Sequence, residues 1–263
     1  METTIKNRIV QLFQQKQKNL LSVYFTAGFP NLHDTTTIME ALQTGGADLI
    51  EIGIPFSDPM ADGPTIQESN QAALHNGMSL KILFQQLETL NDRITIPVIL
   101  MGYLNPILQF GLEKFCEACE KTGIDGLILP DLPMQDYLDM YKPIFEKHGI
   151  TNIFLITPQT SESRIRMVDE HSHGFIYMVS SASITGARQS ISLEQINYFQ
   201  RVKAMNLKNP QLIGFGISNR ETFQVACENA AGAIIGSAYI KLLQQSNDIA
   251  NDTIEYIKSV KGL

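Results

Sequence analysis

The stretch Leu49-Ile-Glu-Ile-Gly-Ile54 indicates the fold, because it is a short and almost wholly apolar run rich in β-branched residues. Runs of this kind are typical of strands that are buried on both faces, as parallel sheets require. Seven further runs share this character, at 20–27, 96–102, 126–131, 152–157, 174–180, 211–216 and 231–236. Amphipathic, helix-like stretches separate these runs, so the chain alternates strand and helix.

Eight strands alternating with helices in a chain of 263 residues predict an α/β fold, a (β/α)8 TIM barrel, in a single domain spanning residues 1–263. A doubly wound sheet is the competing fold, but it seldom has eight evenly repeated units, and no GxGxxG follows the first strand. The amphipathic N-terminus predicts a capping helix that opens the domain. Two helical patterns at 65–76 and 79–90 predict an extra helix after strand 2, and Ser218-Asn-Arg-Glu221 has the pattern of a helix capping box.

The composition excludes several classes of protein. The hydrophobic fraction of 44% is too high for a disordered chain, and no apolar run approaches the roughly 20 residues of a membrane span. A formal net charge of −7 argues against nucleic-acid binding. Three cysteines form no disulfide framework, and Cys116 and Cys119 fall within a helical pattern, so we interpret this CxxC as two helix residues. We expect no metal site and a cytoplasmic location.

A carboxylate inside the second predicted strand is the first candidate for catalysis. Active sites of such barrels lie at the C-terminal ends of the strands. Alternation places Glu51 with Leu49 and Gly53 on the face that points into the barrel, where Gly53 leaves space for a ligand. Burial of a carboxylate costs several kcal/mol unless it is paired or neutral. A structural carboxylate paired with a neighbour is the alternative, although no lysine or arginine at a strand end offers itself.

The loop that leaves the same strand, Pro55-Phe-Ser-Asp-Pro-Met-Ala-Asp-Gly-Pro64, presents Asp58 and Asp62. Aspartate before proline or glycine is ordinary turn chemistry, which remains the alternative for each. A buried Glu51 with a raised pKa and a wetter, ionised Asp62 would be two carboxylates with separate roles. That pair suits acid–base catalysis.

Glycines after the last strands indicate a phosphate site. Phosphate commonly binds to backbone N–H groups after strands 7 and 8 of such barrels, at the start of a helix. Gly216 lies in Gly214-Phe-Gly-Ile-Ser218, Gly236 and Ser237 follow the last strand, and Gly186 lies in the loop after strand 6. This set explains how an acidic protein could hold an anionic substrate.

Residues 49–67, Leu-Ile-Glu-Ile-Gly-Ile-Pro-Phe-Ser-Asp-Pro-Met-Ala-Asp-Gly-Pro-Thr-Ile-Gln, closely resemble the signature of the tryptophan synthase α subunit family. The resemblance spans essentially the whole chain. Further motifs occur in the family's order, at 24–30, 101–106, 130–133, 184–186, 214–218 and 236–238. The long match at 49–67 is specific, whereas the glycine pairs alone are not.

The resemblance implies a lyase that cleaves indole-3-glycerol phosphate to indole and D-glyceraldehyde 3-phosphate, a retro-aldol step without a cofactor. Glu51 would be the general acid–base, which protonates indole C3 and takes the proton of the glycerol hydroxyl. Asp62 would hold the indole N–H and stabilise the positive charge that develops on the ring. The remaining matching positions would line the indole pocket (Tyr24, Leu100, Tyr177), close over Asp62 (Thr185) and bind phosphate (Gly186, Gly216, Gly236, Ser237).

The resemblance also implies a partner, because the family works as a complex with a pyridoxal-phosphate β subunit, usually α2β2, which receives indole through a tunnel. The matching contact residues would be Asp58, Pro59, Asn105, Pro106 and Asp131. From the residues alone, the prolines in these loops indicate only that the loops are stiff.

Three departures from the family pattern and two alternatives remain open. Ser183 stands where many members have glycine, Ser181 where a larger residue is frequent, and Tyr24 where phenylalanine is common. The first alternative is another phosphate-binding barrel, such as an isomerase or indole-glycerol-phosphate synthase, which would often use a strand-end lysine. The second is a non-catalytic subunit that activates a partner, which would tolerate the loss of Glu51.

Overall fold

The computed structural model of the chain describes residues 7–90, 92–179, 192–214 and 216–263, and its strands form one parallel sheet. The strands are β1 (Leu20–Thr26), β2 (Leu49–Gly53), β3 (Val98–Met101), β4 (Gly126–Ile128), β5 (Thr151–Asn152), β6 (Leu155–Ile156), β7 (Ile176–Val179), β8 (Gln211–Gly214) and β9 (Gly232–Ile235). Every predicted strand region therefore contains a strand. Most observed strands are shorter because the predicted runs included loop residues at one or both ends.

The fifth predicted strand is divided into two short strands, and the residues between them close the barrel. The strand order is β5-β4-β3-β2-β1-β9-β8-β7-β6, so the two edge strands of the sheet are consecutive in the chain. Between them, the Ile153 N–H donates to the Leu127 carbonyl at 2.8 Å, and the Tyr177 N–H donates to the Phe154 carbonyl at 2.9 Å. Residues 151–156 thus join β4 to β7 within the sheet, and the wall of the barrel is continuous. The sheet curls into the predicted TIM barrel, with the strand at 152–157 corrected to two short strands.

Helices surround the sheet and follow most strands. They are α1 (Arg8–Gln15), α2 (Asp34–Gly45), α3 (Pro64–His75), α4 (Leu80–Glu88), α5 (Leu104–Phe110), α6 (Leu112–Lys121), α7 (Met134–Asp136), continued by a π-helical segment (Tyr137–Tyr141), α8 (Lys142–Lys147), α9 (Glu162–His171), α10 (Leu193–Ala204), α11 (Arg220–Asn229), α12 (Ser237–Gln245) and α13 (Ile249–Lys261). Two helices, α3 and α4, follow β2, as predicted. No helix among the described residues is long and apolar enough to cross a membrane.

The capping-box prediction is wrong by one residue. Asn219, not Ser218, caps α11, because its side chain accepts from the Thr222 N–H at 2.9 Å. The Thr222 hydroxyl in turn accepts from the backbone N–H groups of Ser218 and Asn219. Asn and Ser are comparably good capping residues, so the pattern alone did not decide between them.

Helix α1 closes the N-terminal end of the barrel with an apolar side chain. Ile9 is fully buried and belongs to the interior cluster with Leu20 and Leu49. A Cβ atom added to Gly126 or Gly174 would lie 2.8 Å from the Ile9 side chain, so these two positions leave room for it. The predicted capping helix is thus confirmed over Arg8–Gln15, and it leaves the opposite end of the barrel for the site.

Replacement of Ile9 by alanine is expected to destabilise the barrel. Removing a buried Ile side chain leaves a cavity, which costs about 2 to 5 kcal/mol in typical cores. The midpoint of urea unfolding of Ile9→Ala should therefore fall well below that of wild type. Gln11→Ala on the exposed face of the same helix is the matched control. Equal midpoints for the two variants would show that α1 does not close the barrel.

Candidate active site

Glu51 lies inside the barrel, as its alternation in β2 predicts. Its side chain is 0% exposed, and its neighbours across the sheet are Tyr24 on β1 and Ile99 on β3. The Ser22 hydroxyl donates a hydrogen bond of 2.7 Å to Glu51 Oε1. Among the described residues, no group donates to Oε2. Burial raises the pKa of Glu51 to about 7, against the opposing effect of the Ser22 hydrogen bond, so near neutral pH this carboxyl can both give and take a proton.

Asp62 lies above Glu51 on the loop after β2 and is less buried. The Tyr103 hydroxyl donates to Asp62 Oδ2 at 3.0 Å, and it accepts from the Ala61 N–H at 2.9 Å. Phe56 stacks on the Tyr103 ring at 5.2 Å between centroids. Burial raises the pKa of Asp62 to about 6, and the Tyr103 hydrogen bond opposes that rise. Asp62 is therefore mostly ionised at neutral pH, and the predicted contrast between a deep glutamate and a wetter aspartate is found.

Two tyrosines form the walls between these carboxylates, and each lies over a glycine of the next strand. A Cβ on Gly53 would lie 2.1 Å from the Tyr24 hydroxyl, and a Cβ on Gly214 would lie 2.4 Å from the Tyr177 ring. The expectation that Gly53 leaves space for a ligand is corrected, because the Tyr24 hydroxyl occupies that space. Burial is the main cause that raises the pKa of each tyrosine, and the negative charges of Glu51 and Asp62 raise it further. The four side chains are therefore close together.

Leu100 is not on the inner face of the barrel, so its predicted place in the indole pocket is corrected. It pairs with Ile52 across the sheet, and both belong to the cluster between the sheet and the helices. The next residue, Met101, pairs with Gly53 and lies on the inner side. Because side chains alternate along a strand, a shift of one residue exchanges the two faces. Met101 therefore occupies the position that was assigned to Leu100.

The phosphate residues that the structure describes lie at the C-terminal ends of β8 and β9. Gly216 has φ +80°, a backbone conformation that glycine adopts readily. Gly236 precedes α12, and Ser237 is its first residue. The first N–H groups of that helix are the type of donor that binds phosphate. The remaining predicted residues, Thr185 and Gly186, together with Ser181 and Ser183, lie outside the described residues.

The predicted partner-contact residues differ in exposure. Asp58, Asn105 and Asp131 are exposed, and Pro106 is partly exposed. Pro59 is buried, so its side chain is not available to a partner, and that prediction is corrected. The neighbouring Met60 is 84% exposed. Asp131 also has a local role, since both of its carboxylate oxygens accept from the N–H of Leu104, each at 3.0 Å.

Sequence analysis missed Ser22, Tyr103 and Met101. The sequence contained a signal for Ser22, because Ser22, Tyr24 and Thr26 place three hydroxyl groups on one face of an otherwise apolar strand. Cys116 and Cys119 are buried helix residues of α6, as interpreted, and burial raises the pKa of both thiols. The described residues contain no group of three or more His, Cys, Asp or Glu side chains that could hold a metal ion.

The buried carboxyl makes the stability of the protein depend on pH. The pKa of Glu51 is raised from 4.5 to about 7, so the folded state holds this proton more tightly than the unfolded state. The cost of ionising Glu51 is absent below about pH 4.5 and complete above about pH 7. Glu51→Gln removes this cost. Relative to wild type, the free energy of unfolding of the variant should rise by about 3 kcal/mol between these limits.

Urea unfolding of wild type and Glu51→Gln at several pH values measures this difference. Glu228→Gln is the matched control, because it removes an exposed carboxylate near the end of α11, at the opposite end of the barrel. A difference between Glu51→Gln and wild type that does not vary with pH would contradict the raised pKa.

A family model described as tryptophan synthase alpha chain matches residues 10–262. The tryptophan synthase alpha chain of Flavobacterium psychrophilum is 59% identical over 240 residues, which cover 91% of this chain and 94% of the relative. That of Parabacteroides distasonis is 54% identical over 255 residues, which cover 97% of this chain and 99% of the relative.

Among solved structures, the tryptophan synthase subunit alpha of Legionella pneumophila has a TM-score of 0.86 at 34% identity, covering 97% of each chain. Tryptophan synthase of M. tuberculosis, in an aminoacrylate-bound form, has a TM-score of 0.84 at 27% identity, covering 97% of this chain and 98% of that one. The chain therefore belongs to the tryptophan synthase alpha chain family.

Proposed function

We propose that Glu51 and Asp62 carry out the alpha reaction in this chain. That reaction is the activity of the family: a lyase cleaves indole-3-glycerol phosphate to indole and D-glyceraldehyde 3-phosphate, and indole passes to the β subunit for L-tryptophan synthesis. The alpha subunit needs no cofactor, and pyridoxal phosphate belongs to the β subunit. The observation that carries the residue assignment is the presence of two carboxylates of different burial, Glu51 and Asp62, that both lie close to Tyr24 and Tyr177.

Glu51 has the properties that the proton transfers of this cleavage require. A proton added to the ring carbon that bears the glycerol chain prepares the carbon–carbon bond for cleavage. A second proton must leave the hydroxyl on the adjoining chain carbon, which becomes the aldehyde as the bonding electrons return to the ring. A carboxyl with a pKa of about 7 gives the first proton in its neutral form and takes the second as a carboxylate.

Asp62 stabilises the positive charge that forms when the ring is protonated. It is less buried than Glu51, and its pKa of about 6 leaves it mostly ionised at neutral pH. An ionised carboxylate accepts a hydrogen bond from the indole N–H, and that bond strengthens as positive charge develops on the nitrogen. Tyr103 holds the carboxylate in place through Oδ2 and leaves Oδ1 for the substrate.

The remaining positions of the family pattern surround these two groups. We assign Tyr24, Tyr177 and Met101 to the walls of the indole pocket, because they lie on the inner face near the carboxylates. Gly216, Gly236 and Ser237 are assigned to the phosphate, which would bind the N-terminus of α12. Thr185 and Gly186 keep the roles that the family pattern predicts: closure over Asp62 and phosphate binding.

Alpha subunits of this family pair with a β subunit. We assign the contact face in this chain to Asp58, Asn105, Pro106 and Asp131, with Met60 in place of the buried Pro59. These residues lie on loops after β2, β3 and β4 or at the start of α5, so they form one side of the rim of the site. The geometry fits the α2β2 arrangement of the family, in which indole leaves this end of the barrel through a tunnel.

We also propose that the chain forms one domain, residues 1–263, and that it acts in the cytoplasm. The single domain is supported by the one sheet that holds strands from Leu20 to Ile235, and by the family match over residues 10–262. The cytoplasmic location rests on the role of the family in amino-acid biosynthesis.

The proposal predicts that Glu51→Gln and Asp62→Asn abolish indole release from indole-3-glycerol phosphate. Gln and Asn keep the shape of each side chain but cannot exchange a proton or carry the charge. Loss of a general acid–base lowers kcat by about 10²- to 10⁴-fold. Indole should be measured with and without a tryptophan synthase β subunit, with Glu228→Gln as the control of unchanged turnover.

Each alternative predicts a different outcome of this assay. Full turnover in Glu51→Gln would refute the acid–base assignment. An inert wild-type chain that raises the activity of an added β subunit would be a non-catalytic activating subunit. A wild-type chain that is inert with and without the partner, and does not activate it, would be an enzyme for another phosphate ester. The described strands carry no lysine, which disfavours that last alternative.

A further inference from the structure

Ser22 makes a contact to the proposed acid–base that no catalytic pattern predicted. It lies on β1 and faces the barrel interior, where its side chain is 0% exposed. Its hydroxyl is 2.7 Å from Glu51 Oε1, across the β1–β2 pair. Ser22 pairs with Leu49, which is two residues before Glu51, so the contact draws Oε1 toward the interior of the barrel. The inner oxygen of Glu51 is thus anchored below the site.

The two oxygens of Glu51 therefore differ. In the described part of the chain, Ser22 is the hydrogen-bond donor to Oε1, whereas Oε2 is buried and has no partner. A hydroxyl donates to a carboxylate oxygen and, more weakly, to the carbonyl oxygen of a neutral acid. Ser22 can therefore keep its bond to Oε1 in both protonation states, which leaves the proton on Oε2.

We propose that Ser22 is a positioning residue for Glu51: its hydroxyl holds Oε1 at the base of the site, so that Oε2 is the oxygen that exchanges protons with the substrate. This inference rests on the proposed role of Glu51 as the acid–base. Ser22 itself is too deep to contact the substrate, since it lies one inward-facing pair below Tyr24 and Glu51. Its effect is therefore exerted through the carboxyl.

The surroundings of Glu51 make the hydroxyl the main polar influence on it. The titratable groups that face Glu51 are Tyr24 from β1 and Tyr177 from β7, and Asp62 from the loop after β2 lies close to the same two tyrosines. Burial raises the pKa of both tyrosines, so they stay neutral over the working range. The facing residue of β3, Ile99, carries no charge. No described lysine, arginine or histidine pairs with Glu51, and the Ser22 hydrogen bond favours the carboxylate.

The test is the titration of the Glu51 carboxyl in Ser22→Ala. Protein labelled with carboxyl-¹³C glutamate gives a resonance for Glu51, which is assigned by its loss in Glu51→Gln. Deleting a hydrogen bond that favours the charged form should move the midpoint of this titration upward by about one pH unit. The pH profile of indole release should move in the same direction. At its optimum, kcat should fall about tenfold, because the acid is misplaced, while KM stays within about twofold.

Ser172→Ala is the matched control. Ser172 is 1% exposed, and its hydroxyl makes one buried hydrogen bond of 2.6 Å, to the Val168 carbonyl before β7. The control removes the same atom from an equally buried site, and the Glu51 titration should stay as in wild type. An unchanged titration in Ser22→Ala, or an equal shift in Ser172→Ala, overturns the positioning role.

The same set of proteins separates this inference from the proposed function. Because the ¹³C titration needs no turnover, it reports on the Ser22–Glu51 contact whatever reaction the chain performs. If Glu51→Gln keeps full indole release, the proposed function fails, and the role of Ser22 in catalysis fails with it even where the titration shifts. If Glu51→Gln is inert and Ser22→Ala titrates and turns over as wild type, only the inference on Ser22 fails.

Discussion

The site depends on one costly placement, a carboxyl group inside an apolar barrel that has no cationic partner among the residues the structure describes. Burial favours the neutral form of Glu51 and raises its pKa to about 7, whereas an adjacent lysine or arginine would hold the group ionised. The Ser22 hydroxyl opposes the burial effect only in part. The same desolvation that destabilises the folded protein at high pH thus supplies an acid near neutrality. A metal or a cofactor is not needed to provide the proton.

Asp62 is held differently, and its proposed role requires a charge. It lies on a loop, partly open to solvent, and its carboxylate is oriented by the Tyr103 hydroxyl. Tyr103 immediately precedes α5, whose first N–H group, from Leu104, donates to Asp131. Asp62 at the proposed reaction site and Asp131 on the proposed contact face therefore accept hydrogen bonds from two consecutive residues, Tyr103 and Leu104. A displacement of the start of α5 changes the geometry at both of them.

Sequence reasoning reached the fold and the two carboxylates because both depend on local periodicity. Alternation within β2 fixes the inner face, and it placed Glu51 correctly. It failed where the answer depends on register between strands. Leu100 was assigned from a matching motif, but its pairing with Ile52 turns it toward the helices and brings Met101 inward. Likewise, the sequence left the space above Gly53 free for a ligand, because it does not show that the Tyr24 side chain extends into that space from the neighbouring strand.

The two ends of the barrel divide stability and function between them, and this division explains how the cost of Glu51 is tolerated. At the N-terminal end, Ile9 and Phe175 fill the interior with apolar side chains. Such packing contributes stability that does not depend on pH. At the C-terminal end, the inner positions hold hydroxyls and carboxyls. Glu51 lies just above the apolar layer, deep enough to lose water yet within reach of the mouth. A glutamate one inner position closer to the N-terminal end of the strand would be sealed from the substrate. A glutamate one inner position closer to the C-terminal end would regain solvent, and its pKa would return toward that of an ordinary glutamate.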